Sequence, residues 1–220
     1  MSDNALVTTD TPAYTAEMAT EDYNKINYEP VFPTLTLSVK LKVPTDKMAS
    51  ELIALAGDVQ NYEGGYTTFF NGQSIDHISG VKELKEAIYG VACAFGRELK
   101  YECNYEKCSI QLWANVMRKG NYHAPHHHAR SIFSGTFYAQ TDDQMSPFVM
   151  INPTRDNRMH EPVIRNEDVG PFTSETLMIK PKVGTMNMWP SWLYHYVPSM
   201  AVDGPRVSLS FNVDFLPPGT

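Results

Sequence analysis

Cysteine is scarce in this chain: Cys93, Cys103 and Cys108 are the only three among 220 residues, with no CxxC or CxxxC spacing. So few, and an odd number, argue against a disulfide-stapled scaffold or a cysteine-built zinc site and favour a reducing compartment. Long apolar runs are missing too; none reaches the length of about eighteen residues that a membrane-spanning helix needs. The first 22 residues carry neither a basic start nor an apolar stretch, so a secretory signal is not expected and a cytoplasmic location is. Basic charge is in deficit, 18 Lys and Arg against 25 Asp and Glu for a net −7. That argues against non-specific nucleic-acid or membrane binding. Apolar residues are not in deficit. At 42% hydrophobic and 20% charged, the chain can bury a full core, and wholesale disorder is excluded.

Residues 1–28 are rich in Thr, Ala, Asp and Asn and lack apolar periodicity, which reads as a flexible N-terminal arm. Residues 29–220 read as one domain, with helical support over about 45–100 and a β core over about 108–215. Leu35, Leu37, Val39 and Leu41 alternate with polar residues as in a half-buried strand. A helix is expected from Pro44-Thr45-Asp46 onward, capped by Thr45, with Met48, Leu52, Leu55, Ala56 and Val59 on its apolar face. Tyr66–Phe70 reads as a short strand. Val81, Leu84, Ile88, Val91, Phe95 and Leu99 recur at three- and four-residue steps and predict a second helix. Short β-rich segments follow at 109–117, 131–139, 148–151, 176–179, 186–189, 193–197 and 206–215. This order predicts a mainly β fold, a barrel or sandwich with flanking helices. The polar stretch 153–174 is too long for a hairpin and reads as a lid or binding loop.

Four of the seven histidines fall within six residues: His123, His126, His127 and His128. On a strand, His126 and His128 share a face and His127 points away, and two imidazoles on one face are half of a metal site. On a loop that alternation fails. His195 lies 69 residues after His126 in the aromatic segment Trp189–Pro198, and Arg206 follows eleven residues later. Arg206 and Ser208 share a strand face, a cationic fork beside a hydroxyl, which suits a carboxylate. Trp113 and Asn115 share a face of their strand and are further pocket candidates.

The order His126-His127-His128, Ser134-Gly135-Thr136-Phe137-Tyr138, Trp189-Pro190-Ser191-Trp192 through His195, and Arg206-Val207-Ser208 with Phe211-Asn212 resembles the iron(II)- and 2-oxoglutarate-dependent oxygenases. The closer resemblance is to the branch with an H-x-H-x5-S-G-x-x-Y segment and a W/F-P-S-W-x-x-H…R-x-S-x-x-F-N ending. The resemblance covers about residues 108–215. It implies a double-stranded β-helix (a jelly-roll, cupin-like core) and a hydroxylase using iron(II) as cofactor and 2-oxoglutarate and oxygen as co-substrates. His126, His128 and His195 would be the metal ligands. Arg206, Ser208 and Tyr138 would bind the co-substrate. Most of the superfamily has Asp or Glu where this chain has His128; Asp142 and Asp143 come too late to replace it, and His123 is an alternative member. The prime substrate is not legible: a peptide or protein prolyl side chain is favoured by analogy with the superfamily. The basic residues Arg118, Lys119, Arg130, Arg155, Arg158 and Arg165 would tolerate an anionic one. Two other readings stay open: a cupin-like three-histidine dioxygenase that does not use 2-oxoglutarate, and a non-enzymatic β-sandwich binding module.

Overall fold

The computed structural model of the chain describes residues 33–157, Pro162, Gly170 and 173–219. The N-terminal arm and most of the 153–174 stretch, with Arg158 and Arg165, lie outside the described residues.

In chain order the elements are β1 (Leu37–Lys40), α1 (Thr45–Ala56), β2 (Tyr66–Thr67), α2 (Val81–Glu98), β3 (Asn104–Met117), β4 (His123–His126), β5 (Phe133–Gln140), β6 (Phe148–Ile151), β7 (Thr176–Ile179), β8 (Thr185–Pro190), β9 (His195–Val197) and β10 (Arg206–Leu216). The strands form a six-stranded sheet, β1-β8-β5-β10-β3-β2, and a four-stranded sheet, β4-β9-β6-β7, with every pairing antiparallel. This is a double-stranded β-helix with two helices packed on the larger sheet. No described helix is long and apolar enough to cross a membrane.

The helices form where the apolar periodicity places them, with small differences at their ends. Thr45 is the first helical residue rather than the cap; Pro44 holds the cap position, and no side chain bonds the helix start. The helix stops at Ala56 because Gly57 turns into positive φ, +53°, which leaves Val59 outside it and exposed. The expected strand Tyr66–Phe70 shrinks to Tyr66–Thr67, and Phe69 and Phe70 stand exposed beyond it.

The larger sheet is buried on both faces, and its period-two alternation separates two environments. On β10, Val207, Leu209, Phe211, Val213 and Phe215 join a core with the helix residues Met48, Leu52, Leu84, Ile88 and Phe95. Arg206, Ser208 and Ser210 point the other way and line a cavity between the sheets. β5 divides likewise, Phe133 and Phe137 toward the helices and Thr136 toward the cavity. So does β3, with Ala114 and Val116 in the helical core and Trp113 and Asn115 in the cavity wall. A smaller apolar cluster, including Met117, Phe148, Met150, Trp189, Leu193 and Val197, fills the space beside the cavity.

Gly135 is required by this packing. A Cβ there would sit 2.1 Å from Phe211 Cζ and 2.6 Å from the Asn187 carbonyl oxygen. Phe211 is fully buried, so its ring has no free space to move into. Gly135→Ala should therefore destabilise the fold by about 1–3 kcal/mol, as overpacking of a dense core does. Denaturant unfolding of the two proteins checks this, and an unchanged midpoint contradicts it.

Candidate functional site

Antiparallel pairing of β4 with β9 places His126 directly opposite His195, which closes the 69-residue gap between them. His128 arrives differently. The strand ends at His126, so same-face alternation along a strand is not what aligns His126 with His128. Instead the His128 amide donates to the Ser191 carbonyl at 2.9 Å, and the Ser191 amide donates to the Ile132 carbonyl at 3.0 Å. The turn after β4 is thereby tied to the end of β8, and this holds His128 beside the other two. One ligand nitrogen from each of His126, His128 and His195 lies within 4.8 Å of the others. The ring centroids are 4.4 Å apart for His126–His195, 5.2 Å for His126–His128 and 5.3 Å for His128–His195.

His127 turns away and packs on Tyr194, with centroids 4.5 Å apart. His123 lines the cavity but is hydrogen-bonded to the Tyr62 hydroxyl and lies outside the group of three. Asp142 Oδ1 accepts from the Gln144 and Met145 amides and so stabilises a turn.

Two of the three imidazoles have their tautomer set by the backbone. His126 Nδ1 lies 2.7 Å from the Ala124 carbonyl oxygen and His195 Nδ1 lies 2.8 Å from that of Leu193. A carbonyl only accepts, so each Nδ1 carries the proton and each Nε2 keeps its lone pair, the arrangement that suits a metal ligand. Burial pulls the pKa of His195 down to about 3 and that of His128 to about 4, with nearby histidines adding to both shifts. His123 is pulled to about 3, by burial and then by Arg206. Three imidazoles in close reach are a set of neutral nitrogen donors that iron, zinc, nickel or copper accepts.

Deeper in the same cavity of about 320 Å³ lie Arg206, Ser208, Ser210, Thr136 and Asn115. Arg206 is 2% exposed. Its guanidinium lies over the Tyr138 ring at 5.1 Å and Nη1 donates to Met117 Sδ at 3.2 Å, a weak acceptor. Its Nε has no hydrogen-bond partner, and no carboxylate among the described residues pairs with it. A buried cation left this way is unfavourable until an anion joins it. Tyr138 is fully buried beside it; burial raises its pKa, against the opposing effects of Arg206 and Asn187. The phenol therefore stays protonated, and its oxygen has no partner by hydrogen-bond geometry. Asn187 is in the same condition at both amide atoms. It was not singled out in the sequence; its only signal is its polar place between Met186 and Met188 on β8, which turns it away from the helices.

The mouth is aromatic. Phe69 packs edge-on against both Phe70 and Trp113, and Tyr62 against both Phe70 and His123. Among the described residues of the lining, Glu63 and Arg206 are the only charged ones other than histidine. The described members of the basic group are not in this lining: Arg118 donates to the Gly57 carbonyl, Lys119 pairs with Asp203, Arg155 pairs with its neighbour Asp156, and Arg130 is exposed.

Residues 111–212 match the family model described as "Putative 2OG-Fe(II) oxygenase". The fold is similar to that of a Pseudomonas putida prolyl-4-hydroxylase, with 13% identity, 84% of this chain and 94% of that one covered and a TM-score of 0.54. It is similar also to HygX from Streptomyces hygroscopicus, solved with nickel and 2-oxoglutarate, at 10% identity, 84% of each chain and a TM-score of 0.53. A third likeness is to the α-ketoglutarate-dependent epimerase SnoN of nogalamycin biosynthesis, at 13% identity, 84% of this chain, 82% of that one and a TM-score of 0.53. Comparison with curated proteins gave no match.

The buried histidines carry a pH dependence. In the unfolded chain each titrates near its ordinary value of 6.5, whereas His123, His128 and His195 stay neutral in the fold down to about pH 3–4. Between those limits the unfolded chain binds more protons, so stability is complete above about 6.5 and is lost as pH falls through the window. The metal-free protein should melt several degrees lower at pH 5 than at pH 7, at roughly 2–4 °C per kcal/mol for a domain of this size. Thermal unfolding by circular dichroism across that range is the measurement, and an equal or higher midpoint at pH 5 would contradict the assignment.

Proposed function

We propose that this chain is an iron(II)- and 2-oxoglutarate-dependent oxygenase that hydroxylates a peptide or protein substrate, a prolyl side chain in the first instance; the family match over residues 111–212 supports this reading. In this reading His126, His128 and His195 hold the iron. The donor chemistry fits: three imidazoles within mutual reach, two with Nδ1 tied back to the chain. Bound iron supplies the oxidising chemistry that couples decarboxylation of 2-oxoglutarate to hydroxylation of the substrate.

The single observation that carries the co-substrate assignment is Arg206, a buried guanidinium without a carboxylate partner among the described residues. Its fork accepts the distal carboxylate of 2-oxoglutarate through charge-assisted hydrogen bonds. Ser208, next on the same face of β10, adds a hydroxyl, and Tyr138 offers a phenol that burial keeps protonated. Orientation follows from these contacts: the carboxylate end is fixed at the floor, so the 2-oxo acid end faces the histidines. Trp189 and Phe148 pack against His195 at 4.9 and 5.3 Å and keep water from that side of the imidazole. The aromatic mouth built by Tyr62, Phe69, Phe70 and Trp113 suits a proline ring, whose apolar faces pack well on aromatic surfaces.

Losing a buried guanidinium partner costs about 2–5 kcal/mol, and about 1.4 kcal/mol is a factor of ten. Arg206→Ala should weaken 2-oxoglutarate binding roughly thirty-fold or more and leave iron content unchanged, with Arg206→Lys in between. Anaerobic calorimetry with 2-oxoglutarate, alongside metal analysis of the same samples, tests this. If the parent protein holds iron and does not bind 2-oxoglutarate, the three-histidine dioxygenase without that co-substrate is the correct reading.

Substitutions at the histidines separate ligands from neighbours. His126→Ala and His195→Ala should abolish tight iron(II) binding in anaerobic dialysis, and His127→Ala should not. His128→Asp should retain iron, because a carboxylate is an equally good oxygen donor there. Equal losses at His126, His127 and His195 would overturn the ligand assignment.

A further inference from the structure

Three polar residues of the sequence motifs have no part in the chemistry above: Ser134, Ser191 and Asn212. They come from three different segments, at the start of β5, just after β8 and on β10. All are buried, with Ser191 completely inaccessible and Ser134 at 1%. They meet in one chain of hydrogen bonds. Ser134 Oγ lies 2.7 Å from Ser191 Oγ and 2.8 Å from Asn212 Oδ1, and Asn212 Nδ2 lies 3.4 Å from His128 Nδ1. The chain ends on the imidazole of His128, whose Nδ1, unlike those of His126 and His195, bonds no backbone carbonyl among the described residues.

Resting on the metal reading above, we propose that Asn212, anchored by Ser134 and Ser191, is the positioning residue that fixes the tautomer of His128 and so makes its Nε2 a metal ligand. A side-chain amide is close to symmetric in shape and can present either end. With Nδ2 toward His128, the amide donates to Nδ1 and leaves the proton on Nε2, where it blocks coordination. With Oδ1 toward His128, the amide accepts the Nδ1 proton and Nε2 keeps its lone pair. The hydroxyls follow that reversal without a broken bond. Asn212 Nδ2 then donates to Ser134 Oγ, and Ser134 donates to Ser191, since each hydroxyl both gives and accepts. Metal binding selects the second polarity. Ser191 has a further part, because its backbone carbonyl also receives the His128 amide at 2.9 Å. The same residue thus holds both the backbone of His128 and, through Ser134, the amide that sets its ring.

The test uses zinc(II) as a redox-silent probe on the full chain, with affinity read by competition against a chromophoric chelator. Partners that orient a metal-ligating histidine contribute about 10–100-fold in metal affinity. Asn212→Ala and the similarly sized Asn212→Leu should each lose affinity in that range. Asn212→Asp should restore most of it, because a carboxylate accepts the same Nδ1 proton. Nitrogen-detected NMR of the zinc-loaded parent should show His128 protonated at Nδ1. A residue that merely fills space would give the opposite order, with Asp, a buried charge, the worst variant and Leu the best. Ser134→Ala in the Asn212→Ala background should cost nothing further, since both act through one amide. Parent-like zinc affinity in a folded Asn212→Ala, or failure of Asp to outperform Leu, overturns the proposal. His126→Ala in the same assay distinguishes the two readings: if it too leaves zinc affinity unchanged, the metal centre itself is misassigned, and if it abolishes binding while Asn212→Ala does not, only the positioning role falls.

Discussion

β10 lies between β5 and β3, hydrogen-bonded on both edges, and its register constrains everything else in the molecule. Five apolar side chains of this strand build the core under the helices, while Arg206, Ser208 and Asn212 build the floor of the cavity and the support of His128. A strand buried on both faces cannot slip by one residue, because the whole set would change sides. Here the slip would press a guanidinium against the helical core and leave the cavity without its cation. Stability and function are therefore specified by the same alternation. The register to β3 is continuous from Arg206↔Met117 to Phe215↔Cys108, which leaves little freedom for one face to change without the other.

The electrostatics of the cavity follow from what is buried there. His128 and His195 are kept neutral, while Arg206 keeps a positive charge with no carboxylate among the described residues to balance it. A divalent metal would add to that charge. On the proposed reading both demands are met by one dianion, since 2-oxoglutarate carries a carboxylate at each end.

Much of this was legible in the sequence, and the limits of legibility are physical. The strands 148–151 and 176–179 appear where the β-rich segments end at turns, and α2 follows its apolar steps, because burial alone decides such elements. The convergence of His126 and His195 was legible only through the resemblance, since no local rule brings together residues 69 apart; the pairing of β4 with β9 does so. His126 and His128 were brought together in the reading by strand alternation, and in the fold by a turn held to Ser191. Asn187 went unread for a different reason. A polar residue on a strand is a surface residue in most sheets, and only the second sheet, closing over it, makes it a buried one. The basic residues gave the opposite error of emphasis: Arg118, Lys119 and Arg155 are conspicuous in the sequence and are occupied with local partners in the fold.

In the proposed metal site, the third position links the departure from the superfamily pattern to the buried polar chain behind it. A carboxylate in that position has no tautomer: when ionised it only accepts, and either oxygen can meet a metal. An imidazole has two unlike nitrogens, and only one tautomer leaves the required lone pair available. Replacing the acid by histidine therefore creates a need that the carboxylate did not have. His126 and His195 meet it with backbone carbonyls two residues back in the chain. His128, past the end of β4, has no such carbonyl. Nearby it has the Asn212 amide, whose other end is held by the buried Ser134 hydroxyl, itself bonded to that of Ser191. Such a network is costly to leave half satisfied in a low-dielectric interior. Ser134 and Asn212 lie on the strands that carry Tyr138 and Arg206, and Ser191 lies in the turn that leads to His195, so the segments that carry the site residues also carry the means of orienting the histidine that stands in place of the acid.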